Sequence, residues 1–70
     1  MEYPITLMER EDTDHRVELV YHGPDVRQQV TIHVRWHSGE FQDFAFAVHG
    51  DSVMEAFNHP HWYSAHARAA

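Results

Sequence analysis

The stretch of residues 28–50, QQVTIHVRWHSGEFQDFAFAVHG, limits the possible folds most strongly. Its large apolar side chains fall at alternate positions in two runs: Val30, Ile32, Val34 and Trp36, then Phe44, Phe46 and Val48. A period of two is typical of β-strands that bury one face. The stretch therefore predicts one long β-hairpin around which the remaining chain is built.

The residues between the two runs select the register of this hairpin. A two-residue loop, Ser38-Gly39, would pair Ile32 with Ala45 and turn the apolar residues of the second arm to the wrong face. A three-residue loop over 37–39 is a type I turn followed by glycine in the left-handed region, which is a favoured hairpin connection. It pairs Ile32 with Phe44, and a slip of one residue would invert every side chain. The sequence therefore predicts this register, which also sets Trp36 opposite Glu40 and Val30 opposite Phe46.

Two earlier segments also alternate and predict two further strands. Residues 3–9 favour an edge strand, residues 16–22 a second strand, and residues 11–14, three of which are acidic, a turn between them. We expect three apolar pairs on one face, namely Leu7 with Val17, Ile5 with Leu19 and Tyr3 with Tyr21. Three aromatic residues of the later chain, Trp36, Phe44 and Phe57, are assigned to the core together with Tyr3 and Tyr21.

A helix is predicted after the fourth strand. Ser52 and Glu55 have the spacing of a capping box, in which the serine is the N-cap and the glutamate lies three residues on. Val53, Ala56 and Phe57 have the spacing that places one helix face on the sheet. His59-Pro60 is expected to break the helix. A second short helix, residues 60–68, would follow with Trp62 and Tyr63 as its anchors.

The predicted fold class is α+β. It is a four-stranded antiparallel β-meander in the order 1-2-3-4, with a C-terminal helix that is broken at Pro60 and packed on one face. Seventy residues correspond to a single small domain, residues 1–70, whose core is small enough that self-association would add useful stability.

Composition excludes several classes of function. Eleven acidic residues against five basic ones give a net charge of −6, which argues against a nucleic-acid partner. The absence of cysteine excludes disulfides, cysteine-ligated zinc and thiol catalysis. No apolar run has the length of a membrane span or a signal sequence, which predicts a cytoplasmic protein without a membrane partner. All five basic residues are arginine, as is typical of GC-rich bacterial or phage genomes.

The hairpin register also predicts what lies on the opposite face of the sheet. His33 is expected opposite Asp43, Thr31 opposite Ala45, and Arg35 opposite Phe41, while Glu18 and His22 arrive from the second strand. A group of Glu18, His33 and Asp43 has the chemistry of a general acid–base site. The alternative interpretation is a solvated sheet face with ordinary cross-strand charge pairs.

The same face also has features of an interaction surface. Ala45 and Ala47 are small, and Phe41 and Val20 are apolar side chains expected beside them. A flat strip of this kind suits contact with a partner protein or with a second copy of the chain.

Eight histidines invite a metal hypothesis, which spacing does not support. No histidine pair in the tail is four residues apart, as helical metal ligands require. His59 and His61 are two apart but lie outside a strand. The sequence therefore predicts no metal site and no cofactor.

The leading functional hypothesis is a small, acidic, non-enzymatic module that binds another protein and self-associates as a homodimer or small oligomer. A histidine-based metal- or pH-responsive module is the alternative, because histidines change charge between about pH 5 and 8. A small enzyme that uses Glu18, His33 and Asp43 is a third hypothesis. The predicted interaction residues are Thr31, His33, Arg35, Phe41, Asp43, Ala45, Ala47, Trp62 and Tyr63.

Overall fold

The computed structural model describes residues 2–59, which form one antiparallel sheet and one helix. The strands are β1 (Ile5–Glu11), β2 (His15–Tyr21), β3 (Val30–Trp36) and β4 (Phe41–Phe46). They lie side by side in the order β1-β2-β3-β4, and each neighbouring pair is antiparallel. The helix α1 (Asp51–Asn58) follows the last strand. The predicted α+β meander is confirmed.

The central hairpin has the predicted register. Ile32 lies opposite Phe44, and Val30 lies opposite Phe46. The turn is closed by two backbone hydrogen bonds: Gly39 N–H donates to the Trp36 carbonyl at 2.9 Å, and Trp36 N–H donates to the Glu40 carbonyl at 2.8 Å. Gly39 has a φ of 103°, the left-handed conformation that this type of turn requires.

One face of the sheet, here called the inner face, carries the core, and α1 covers it. Val53 and Phe57 are the buried residues of the helix, and Ala56 packs beside them, as their spacing predicted. They meet an apolar layer from the two central strands and complete one cluster: Val17, Leu19, Val30, Ile32, Val34 and Trp36. The opposite side of the sheet is called the outer face.

The predicted register of the first two strands is wrong. Ile5 lies opposite Tyr21, Met8 opposite Leu19, and Arg10 opposite Val17. A β-bulge between Thr6 and Met8 shifts the pairing, so β1 extends to Glu11 instead of ending at residue 9. Leu7, expected to be buried against Val17, is exposed.

The turn between β1 and β2 and the bulge in β1 together define the observed register. The observed register needs only the short turn 12–14, in which Asp12 N–H donates to the His15 carbonyl at 2.8 Å. The bulge lets the apolar residues Ile5 and Met8 both lie opposite inner-face residues despite their spacing of three.

His15 organises this turn, although the sequence gave no reason to single it out. Its ring is buried and lies 4.9 Å from the ring of Trp36. Nδ1 is 2.8 Å from a carboxylate oxygen of Asp14, and Nε2 is 3.0 Å from one of Asp12. The acidic turn is therefore folded around a histidine that caps the end of the core.

Arg10 joins the bulged strand to the helix. Its guanidinium lies 4.8 Å from the centre of the Phe57 ring, and Nη2 donates to the Phe57 carbonyl at 2.8 Å. Nε donates to the Asp12 carboxylate at 3.1 Å. The charged group thus lies over the ring of a buried aromatic side chain, and its Nε and Nη2 donors are both hydrogen-bonded.

The predicted capping box at Ser52 is wrong. The N-cap is Gly50, which makes no side-chain cap, and both Val53 N–H and Met54 N–H donate to its carbonyl. Ser52 lies inside the first turn and is exposed. Asp51 in this turn is favourable for the helix dipole, and it supplies part of the stabilisation that a capping side chain would have given.

The assignment of Tyr3 to the core needs revision, and the predictions for the tail fall outside the described residues. Tyr3 is 42% exposed, although its ring packs edge-on against Tyr21 at 5.5 Å, so it lies at the margin of the core. The predicted break at Pro60, the second helix and the residues Trp62 and Tyr63 lie outside the described residues.

Candidate functional site on the outer face

The outer face gathers most of the residues that the sequence singled out. Strand alternation and the β3–β4 register place six of them there: Thr31, His33, Arg35, Phe41, Asp43 and Ala45. Ala47 follows β4, where its carbonyl accepts a hydrogen bond from Gln29 N–H at 3.2 Å. Among residues 2–59 no helix packs on this side, since the buried face of α1 belongs to the inner cluster. These side chains are therefore open to a ligand or a partner.

Across the strands, the outer-face side chains form rows of different charge. The row here called the arginine row contains Glu11, Arg16, Arg35 and Phe41. The adjacent row, called the acidic row, contains Glu9, Glu18, His33 and Asp43. The next row contains Thr6, Val20, Thr31 and Ala45. Val20 is buried in this last row, contrary to the expectation that it would be an exposed apolar residue.

A continuous chain of hydrogen bonds crosses these rows. Asp43 Oδ1 lies 2.6 Å from His33 Nδ1, and His33 Nε2 lies 2.8 Å from Thr31 Oγ1. The same hydroxyl is 2.7 Å from Nε2 of His22, which directly follows β2. Four side chains from three consecutive segments of the sheet are thus linked through one threonine hydroxyl.

The chemistry of the four groups fixes where the protons lie when both histidines are neutral. The Asp43 carboxylate only accepts, so His33 Nδ1 donates to it and His33 Nε2 is left bare. The Thr31 hydroxyl has one hydrogen and donates it to this bare nitrogen. Its oxygen then accepts the remaining hydrogen bond, which His22 Nε2–H donates. All three hydrogen bonds are therefore donated in the same direction, from His22 through Thr31 and His33 to Asp43.

The predicted group of Glu18, His33 and Asp43 is only partly brought together. Glu18 is the direct cross-strand neighbour of His33. Its carboxylate, however, lies 3.8 Å from Arg16 Nε, and Arg16 also contacts Glu9 and Glu11 on β1. An arginine with several donors attracts the carboxylate more strongly than a neutral imidazole does. Thr31, which is hydrogen-bonded in turn to His22, takes the place next to His33 that the sequence had suggested for Glu18.

Arg35 differs from Arg16. It is exposed, and no residue of the described chain forms an ion pair with its guanidinium. Its cross-strand neighbour is Phe41, whose side chain is 70% exposed. An uncompensated cation thus stands beside the most exposed large apolar residue in the described chain.

An open hollow of about 390 Å³ lies over the boundary between the arginine row and the acidic row. Its walls come from both rows and carry both signs of charge. The lining residues are Arg16, Glu18, His33, Val34, Arg35, Phe41 and Asp43. The hollow offers both cationic and anionic groups to whatever covers it.

The metal hypothesis gains no support from the described chain. Within residues 2–59, no group of three or more histidine, cysteine, aspartate or glutamate side chains is arranged to hold a metal ion. His61 and His66 of the histidine-rich tail lie outside these residues.

Sequence reasoning missed the contact between His22 and Thr31. The register alone does not give it, because His22 lies beyond the last residue of β2. Strand alternation nevertheless indicates the position of His22. Tyr21 faces inward and pairs with Val30, so the next residue, His22, falls on the outer face. His22 N–H donates to the Gln29 carbonyl at 2.7 Å, which continues the ladder by one residue and brings the imidazole over β3.

Comparison with known proteins adds no family assignment: no protein-family model, curated protein or solved structure matches the chain. The single helix of residues 2–59 is too short and too polar to cross a membrane.

Proposed function

We propose that this chain is a small protein-binding module whose outer face docks against the outer face of a second copy. The observation that carries the proposal is the position of Arg35. It is exposed and without an ion pair in the described chain, it stands beside the exposed Phe41, and it adjoins the acidic row. A lone cation next to a row of carboxylates provides a surface complementary to itself.

Symmetry makes this complementarity usable. A two-fold axis that lies in the interface, runs across the strands and passes between the two rows would place the arginine row of each copy on the acidic row of the other. Arg35 of one copy would then face His33 and Glu18 of the other. Phe41 of one copy would cover Asp43 of the other, and the strands would run antiparallel and nearly aligned, as packed sheets prefer.

The size of the domain supports the same proposal. A chain of 70 residues buries about 60% of the surface that it exposes when unfolded, which leaves a marginal core. Covering the uncovered side of the sheet would bury Phe41 and the methyl groups of Ala45 and Ala47. The four-stranded sheet would become one half of a two-layer sandwich.

A charge-swap experiment tests the proposal. Arg35→Glu and Glu18→Arg are each expected to be monomeric, because each brings like charges together across the two-fold axis. An equal mixture of the two is expected to form a heterodimer, because both contacts then join opposite charges. Mass by light scattering at micromolar concentration distinguishes these states.

Arg27→Glu provides the matched control, since it makes the same charge change at an exposed position outside the strands. It is expected to leave the mass at that of a dimer. A monomeric wild-type chain would contradict the proposal. So would an Arg35→Glu variant that remains dimeric.

The bacterial or phage source and the cytoplasmic location remain predictions of the sequence. The tail residues Trp62 and Tyr63 remain predicted parts of the interaction surface.

A further inference from the structure

We infer that Thr31 is an activated nucleophile that accepts acyl groups from small, neutral, activated esters. The inference concerns the outer face of the monomer, because a docked second copy would cover Thr31 and its neighbour Ala45. It follows from the order of the groups around one hydroxyl: threonine, histidine and carboxylate.

The geometry is that of a base-activated hydroxyl. His33 Nε2 lies 2.8 Å from Thr31 Oγ1, and His33 Nδ1 lies 2.6 Å from Asp43 Oδ1. A hydroxyl nucleophile, a histidine base and a carboxylate that orients the histidine recur in this order on unrelated folds. Because Asp43 holds the proton of His33 on Nδ1, the basic nitrogen points at the hydroxyl.

The structure also supplies a group that stabilises negative charge. His22 Nε2 lies 2.7 Å from the same oxygen, and when both histidines are neutral this nitrogen carries the hydrogen of the contact. This N–H is in place to stabilise the negative charge that develops on the hydroxyl oxygen as His33 removes its proton. Two histidines with different tautomers therefore have different roles at one hydroxyl.

The chemical step is balanced by these residues and water. Thr31 Oγ1 attacks the carbonyl carbon of the ester, a carbon–oxygen bond forms, and the hydroxyl proton passes to His33 Nε2. The tetrahedral adduct then breaks its bond to the leaving oxygen, which departs as an alcohol with the proton from His33. Water attacks the acyl-threonine with His33 again as the base, and the free acid and Thr31 are regenerated.

The surroundings of Thr31 favour a small and neutral substrate. Its neighbour on β4 is Ala45, whose methyl group leaves the hydroxyl open on that side, and Val20 on β2 provides an apolar floor. The adjacent row carries the carboxylates of Asp43 and Glu18, whereas Arg35 lies four residues along β3 from Thr31. An anionic phosphate would be repelled by this arrangement, but an uncharged acyl ester would not.

p-Nitrophenyl acetate is the probe, with nitrophenolate release and mass spectrometry of the protein as the readouts. The wild-type chain, diluted below the dissociation constant of the dimer, is expected to give an initial burst of nitrophenolate and an acetyl group on the peptide that contains Thr31. Thr31→Val, which keeps the β-branched shape, is expected to lose both. His33→Gln is expected to slow the burst by at least about 10-fold, because base catalysis contributes about 10²–10⁴-fold in such reactions.

Controls separate this chemistry from the background reaction of ordinary histidines. His49→Gln removes an exposed histidine outside the site and is expected to leave the burst unchanged. Thr31→Ser retains a hydroxyl and is expected to be acetylated, which checks the assignment if Thr31→Val fails to fold. Acetylation confined to histidines or to the amino terminus would overturn the inference. A Thr31→Val variant with the wild-type burst would also overturn it.

Asp43 acts through His33 and is a positioning residue. Asp43→Ala is expected to slow the burst and to change the tautomer of His33, a spectroscopic effect that a merely structural role would not produce. An unchanged tautomer together with an unchanged burst would remove Asp43 from the mechanism.

Discussion

Arg10 on β1 and Phe57 on α1 are joined by two interactions at once: the guanidinium lies 4.8 Å from the ring centre and also donates to the Phe57 carbonyl at 2.8 Å. The second contact satisfies a carbonyl in the last turn of the helix, where no later residue of α1 donates to it. One arginine therefore ties the edge strand to the end of the helix.

Arg10→Ala is expected to lower the free energy of unfolding by about 1–2 kcal/mol, because a cation–π contact and a charged hydrogen bond are both lost. Urea unfolding measures the difference. Arg27→Ala is the control, since Arg27 is exposed and outside the strands, and it is expected to change stability by less than about 0.5 kcal/mol. Equal effects of the two substitutions would show that the Arg10 contact contributes nothing.

Two glycines with positive φ are expected to differ in their sensitivity to substitution. At Gly39, which has a φ of 103°, an added Cβ would meet nothing within 4 Å, so Gly39→Ala is expected to cost about 1 kcal/mol of conformational strain alone. At Gly23, which has a φ of 105°, the Cβ would also lie 3.0 Å from the Tyr3 ring. Gly23→Ala is therefore expected to cost more. Thermal unfolding of both variants gives the order, and the reverse order would contradict the packing of Tyr3.

The helix start provides a substitution that is expected to stabilise the protein. Gly50 is the N-cap, its backbone is extended, and a Cβ there would meet nothing within 4 Å. Gly50→Ser adds a side-chain acceptor for the free N–H groups of the first turn and is expected to raise stability by about 0.5 kcal/mol.

Ser52→Ala is the companion measurement, because Ser52 does not cap α1. It is expected to change stability by less than about 0.5 kcal/mol in the same urea unfolding experiment. A loss of about 1 kcal/mol would indicate that Ser52 is the N-cap after all and that the helix begins later than Asp51.

The hydrogen-bonded chain predicts the tautomer of His33. With both histidines neutral, the proton of His33 is expected on Nδ1, where Asp43 accepts it, and that of His22 on Nε2. Nitrogen chemical shifts from long-range proton–nitrogen correlation report both. Exposed His49 in the same spectrum supplies the reference for a ring without such partners. Asp43→Ala is expected to move the nitrogen chemical shifts of His33 toward those of His49. A proton on Nε2 of His33 in the wild-type protein would contradict the proposed direction of the hydrogen bonds.

The β3–β4 hairpin was predictable because two independent signals agree on it. The alternation of Ile32 and Phe44 and the turn chemistry of Gly39 each require the same register. That register also placed His33 beside Asp43, and the structure brings their side chains together. One of the three hydrogen bonds on the outer face, between His33 and Asp43, was therefore predictable from the sequence.

The β1 register was not predictable because a bulge leaves no mark on simple alternation. Tyr3, Ile5 and Leu7 have a perfect period of two, but the short turn at residues 12–14 and the ring of His15 decide the pairing. The cap at Gly50 was missed for a related reason. Ser52 has the right side chain for a cap, but the tertiary position of the helix, fixed by Val53 and Phe57, starts it two residues earlier.

Contacts between two copies of the chain test the central proposal most directly. An equal mixture of isotope-labelled and unlabelled protein permits filtered nuclear Overhauser measurements that detect only contacts between copies. Such contacts are expected from the Phe41 ring of one copy to the side chains of His33 and Asp43 of the other. Contacts confined to the α1 side of the molecule, or none at millimolar concentration, would contradict it.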